Sequence, residues 1–131
     1  MSTSFTDIRI TGLDTGATEQ SPTASGLRLM YLTLSEQPPS VWSDIFDSER
    51  QFPRHSMWRR AWIQGDSIVV DCVPEELEQY HLRDLKEDVA NSNTKFRAYL
   101  EQEERHTKAA QEAAQRERDR IEQLNKRLDF E

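Results

Sequence analysis

One cysteine and three histidines are the side chains from which nucleophilic or metal chemistry would have to be built. Cys72 stands in the apolar run 67–73 on the parity of Ile68 and Val70, which predicts a buried, inert thiol. A nucleophile needs an electropositive, accessible setting instead. His81 is the one candidate base for it, and it sits on the inner stripe of a helix. Asp71 should face away from Cys72, so adjacent positions do not compose a relay. His55, His81 and His106 are too scattered for metal-ligand spacing, and no CxxC or HExxH occurs. The four glycines, at 12, 16, 26 and 65, build no phosphate loop. Glu75-Glu76 and Asp44/Asp47 read as helix-terminus or surface carboxylates. The expectation is a protein that is not an enzyme, with no metal and no cofactor.

The second concentration of chemistry is Phe52–Trp62, which holds Trp58, Trp62, Arg54, Arg59, Arg60 and His55. With Arg50 it forms a stretch of charge +4 over residues 50–62, against −5 over 1–49, −4 over 63–100 and −2 over 101–131. In a strand over 57–64, Trp58, Arg60 and Trp62 share one face, and Arg59, Ala61 and Ile63 the other. Arginine between tryptophans suits a protein interface, where both types concentrate at hot spots. It also suits a single-strand stacking platform. The plainer alternative is a core filled by the tryptophans, with the arginines paired to acids. Trp58, Arg59, Arg60, Trp62 and Arg54 are the candidate partner-binding residues.

The third feature is the C-terminal tail. From Glu75 to Glu131 there is neither Gly nor Pro, over 57 residues. Leu77, His81, Leu85, Val89, Phe96 and Leu100 keep to one helical face, and a seam at alternating steps of four and three then runs through Glu103, Thr107, Ala110, Ala114, Glu117, Ile121, Leu124 and Leu128. Leu100, Ile121, Leu124 and Leu128 are good knobs, and Ala110 and Ala114 permit close helix approach. These six residues are the candidate oligomerisation or docking surface. The alternative is a solvated helix held by pairs such as Glu112/Arg116 and Glu122/Lys126. Asn91-Ser92-Asn93-Thr94, four poor helix formers in a row, is where a hairpin would break an otherwise continuous or kinked helix.

The elements expected to position these residues are read from periodicity and punctuation. Alternation predicts a strand over 4–13, and the Asp/Thr/Gly/Ser-rich stretch 14–26 reads as a loop. Residues 27–34 carry apolar side chains at both parities, which predicts a strand covered on both faces in its second half. Pro38-Pro39 stops that strand and opens a helix carrying Val41, Trp42, Ile45 and Phe46, which ends near Gln51 before Phe52-Pro53. Strands over 57–64 and 67–73 flank Gly65-Asp66, a hairpin signal, and Val73-Pro74-Glu75-Glu76 starts a helix with two acids in its first turn. The order is ββαββα: an α+β head over residues 1–100 with a small sheet of about four strands, and a helical, partly coiled-coil-like tail over 101–131.

Composition bounds the function classes. The chain has 131 residues, 35% hydrophobic and 31% charged, with net charge −7. No apolar run nears the roughly 18 residues of a membrane span, and Met1–Asp7 lacks the basic and apolar regions of a signal peptide. A single cysteine forms no internal disulfide, which points to a reducing, cytoplasmic setting. The acidic balance works against wholesale binding to nucleic acid or anionic membrane. The reading is a non-catalytic interaction or accessory subunit that oligomerises or docks into a larger assembly through its C-terminal helix. Its partner is a protein or a second copy. The second reading is a nucleic-acid-binding accessory protein using residues 50–62.

Overall fold

The computed structural model describes residues 5–131. Ser4, at the start of the first expected strand, lies outside the described residues. The fold is α+β: strands β1 (Ile10–Gln20), β2 (Arg28–Leu34), β3 (Ala61–Gln64) and β4 (Ser67–Cys72) form one antiparallel sheet in the order β1-β2-β4-β3. Helix α1 (Ser40–Arg50) follows β2. After β4 come a short α2 (Pro74–Glu76), a π turn (Leu77–His81) and helix α3 (Leu82–Arg127). Contacts divide the chain into a unit ending at Arg97 and a unit Ala98–Glu131.

Local chemistry explains most boundaries. Pro39 is the extended residue before α1, and Pro74 occupies the first helical turn after Val73, where its missing N–H costs nothing. Gly65 takes φ +60° in the turn between β3 and β4, a conformation that favours glycine.

Three expectations needed revision. β1 begins at Ile10 and continues to Gln20, through residues whose composition reads as loop. It is an edge strand, mostly exposed, with register shifts between Ile10 and Gly12 and between Asp14 and Glu19, so polar side chains suit it. β2 buries one parity, Met30, Leu32 and Leu34, while Tyr31 and Thr33 stay half-buried; the strand buried throughout is the central β4. The third strand starts only at Ala61, because 57–60 form irregular backbone tied down by other contacts.

The core of the first unit joins Met30, Leu32, Leu34, Ile68, Val70 and Cys72 to Trp42 and Phe46 of α1 and to Leu85, Val89 and Phe96 of α3. Trp42 and Phe46 stack at 5.7 Å, and both are wholly buried. Helix α3 passes through Asn91–Thr94 unbroken. The departure from regular helix comes earlier, at the π turn. There His81 reaches back five residues, its Nε2 lying 3.2 Å from Glu76 Oε1.

Candidate functional site

The C-terminal end of α1, the irregular stretch 51–60 and the start of β3 enclose a cleft of about 400 Å³ lined by Asp47, Arg50, Trp58, Arg59, Arg60 and Trp62, among others. Its frame is an ion-pair network. Asp88 of α3 is fully buried and accepts from Arg50 Nη1 at 2.8 Å and from Arg54 Nη2 at 2.7 Å. Arg50 Nη2 donates to the Arg59 carbonyl at 2.6 Å. Both guanidinium groups lie against the Trp58 ring, Arg50 at 3.8 Å and Arg54 at 4.6 Å from its centroid.

His55 closes the same network. Its Nδ1 accepts from the Met57 amide, so the ring's proton is on Nε2, which donates to Asp84 Oδ2 at 2.5 Å. These contacts fix residues 51–60 without regular secondary structure. Arg59, which strand alternation would have put on the opposite face from Trp58 and Trp62, borders the same cleft while its guanidinium pairs with Glu76.

The arginines differ in how far they are committed. Arg59 donates twice to Glu76, at 3.1 and 3.3 Å. Those bonds, with a further one involving His81, hold the Glu76 carboxyl below its ordinary range against the opposing effect of burial. Burial pulls the Arg50 guanidinium below its usual value, and Asp88 opposes that pull. Arg60 is looser: its side chain is 69% exposed, lies 5.1 Å from the Trp62 centroid and comes no nearer to Asp71 than 3.7 Å. Partial burial, then the charge of Asp44, push the Asp47 carboxyl upward.

Sequence reasoning named Trp58, Arg59, Arg60, Trp62 and Arg54, and the fold brings four of these to the cleft, with Arg54 bracing Trp58 from behind the network. It missed Arg50, Asp47 and Asp88. The available signal was a pair of acids, Asp84 and Asp88, one helical turn apart and directly beside the inner positions Leu85 and Val89.

Cys72 and His81 are both buried, yet His81 Nε2 faces Glu76. Burial first, then the charge of Glu76, raise the Cys72 thiol to about 12. A thiol so raised is almost wholly protonated at neutral pH. Iodoacetamide at pH 8 should therefore label native Cys72 about a thousandfold more slowly than the denatured chain, where the thiol titrates near 8.5. A native rate within tenfold of the denatured one would show the thiol to be accessible and activated.

The tail presents the opposite situation. Leu100 is half-buried, and every residue from Glu101 onward is exposed, Ala110 and Ala114 included. Ile121, Leu124 and Leu128 are exposed to 57%, 45% and 49%. Among the described residues no helix is long and apolar enough to cross a membrane. No group of three His, Cys, Asp or Glu that could hold a metal occurs among them either. Comparison with protein-family models, with curated proteins and with solved structures finds no match.

Proposed function

We propose that this chain is a non-catalytic accessory subunit whose C-terminal helix docks it onto another protein. The observation that carries the reading is the Ile121/Leu124/Leu128 stripe: Ile121 and Leu124 share a face of α3, Leu128 follows just past its last residue with its amide bonded to the Leu124 carbonyl at 3.1 Å, and all three aliphatic side chains are left in water. Apolar residues at such spacing match the seam of a helix pair.

Charge selects the occupant. At 100° per residue, Arg116, Arg120 and Arg127 lie on one side of the stripe and Arg118 with Glu122 on the other, while Glu112 and Asp119 fall behind it. Glu117 interrupts the stripe one turn earlier. An antiparallel second copy would bring arginine rims together, whereas a helix or groove with acidic flanks would complement them.

Light scattering over a tenfold concentration range should therefore give the monomer mass of 15.3 kDa. Photo-crosslinking from position 125, at the edge of the stripe, in the native host should trap one partner through an acidic segment, and Leu124→Glu should abolish the adduct. A stable oligomer dissolved by Leu124→Glu would overturn the choice of partner and make the tail a self-association device. An oligomer indifferent to that change, or trapping that survives it, would overturn the reading altogether.

A further inference from the structure

The sheet ends on one side in an open backbone edge beside an apolar groove, both within the first unit. Among the described residues β1 pairs with β2 alone, so the N–H and C=O groups of its far edge meet no strand. The opposite edge, β3, offers only four residues. Between β1 and the helical turns after β4 lies a groove of about 350 Å³, walled by Ile10, Leu13, Leu32, Leu77 and Leu82. A bulge in β1 builds one of these walls. Ile10 pairs with Leu34 and Leu13 with Leu32, both core residues, so two positions three apart share the inner side. Strict alternation would have put them on opposite faces. Leu32 is buried, but Leu13 stays 41% exposed at the open edge.

An edge strand flanking an apolar groove is the setting in which an extended segment adds to a sheet. Main-chain bonds hold such a segment, and its alternate side chains enter the groove. Charge selects the side chains between them. Asp14 pairs with Tyr31 and Glu19 with Leu29, which places both acids on the sheet face away from the groove. β1 holds no basic residue to answer them. Glu78 and Lys86, which also line the groove, add one charge of each sign. A second β1 would bring its own acids to these, and like charges across a strand pair repel. A basic strand is complementary instead. The register shift between Asp14 and Glu19 limits it to a few residues. We propose that the edge at residues 10–14 binds a short extended segment of another protein, with aliphatic side chains in the groove and Lys or Arg at the alternate positions facing Asp14.

The test is a two-dimensional 15N–1H NMR titration of the full chain with the peptide acetyl-Lys-Val-Lys-Val-Lys-Val-amide. Amides of residues 10–14 and 77–86 should shift saturably, and the edge amides of β1 should exchange with solvent about tenfold more slowly in the complex. The same peptide with alternate backbone nitrogens methylated should not bind. The version with Glu in place of Lys should bind about fivefold more weakly at low salt. Leu13→Lys should weaken binding about tenfold, the scale of one buried aliphatic contact. Asp14→Lys should erase the preference for the lysine peptide. Both residues are exposed, so neither change threatens the fold. An absence of saturable shifts, shifts without slower exchange, equal binding of the methylated peptide, or indifference to both substitutions would overturn the proposal. Edge amides that shift with protein concentration alone would make a second copy the occupant and overturn it too.

Discussion

Replacing Asp88 by alanine is expected to cost about 3–5 kcal/mol of folding stability, the loss typical of removing one partner from a buried ion pair. The reason is what remains behind. Asp88 has no exposed surface and answers two guanidinium groups, one of them itself buried. Without it, Arg50 keeps its charge inside the protein with only the Arg59 carbonyl and the face of Trp58 to receive it. Arg54, 38% exposed, can turn to water and contributes little to that cost.

The same reasoning gives a second arm. Removing both charges, as in Asp88→Leu with Arg50→Met, should recover much of the loss, because a buried pair is often no more stable than an apolar replacement. Urea unfolding with a shared m-value measures both variants. A cost below about 1 kcal/mol for Asp88→Ala would mean that the pair is hydrated in solution.

How much of this was open to sequence reading depends on range. The ββαββα order follows from local signals: Pro39 and Pro74 before their helices, Gly65 in the hairpin, and the face shared by Leu77, His81, Leu85, Val89 and Phe96. These signals act within a few residues and compete with nothing. The cleft rests on contacts of another kind. Arg50 and Asp88 are 38 positions apart, and Arg54 and Asp88 are 34. No periodicity reports such a pairing, so the strand pattern assigned to 57–60 prevailed where the ion pairs decide the backbone. β1 shows the converse error. Thr, Gly and Asp composition suggests a loop, yet ladder bonds to β2 suffice for an edge strand that buries little.

Asn91–Thr94 carries this lesson to the level of energy, and leads to the second large effect. Four residues of poor propensity cost the helix about 2 kcal/mol relative to alanine, yet α3 does not break there. Tertiary bonds outweigh that cost. Asn93, 6% exposed, accepts the Ile8 amide at 3.1 Å and the Trp42 indole N–H at 2.9 Å through Oδ1, and its Nδ2 donates to the Ile8 carbonyl at 2.9 Å. One side chain thus fastens the segment before β1, helix α1 and helix α3 to each other.

Asn93→Ala should lose about 3 kcal/mol or more, since three buried groups would be left without partners at roughly 1–3 kcal/mol each and not fully additively. The Trp42 indole N–H should also lose its protection from hydrogen exchange. Asn93→Asp separates the bonds. Its carboxylate keeps the two acceptor contacts but sets a charge against the Ile8 carbonyl. That variant should be strongly destabilised at pH 7. It should regain stability as the pH falls through its raised folded pKa, because the protonated carboxyl can donate where Nδ2 did. Urea midpoints at pH 7 and pH 5 for the three proteins decide it. If Asn93→Ala falls within about 0.5 kcal/mol of the parent, the size of an ordinary surface substitution, the bonds to Ile8 and Trp42 are not what holds α3 through its weakest stretch.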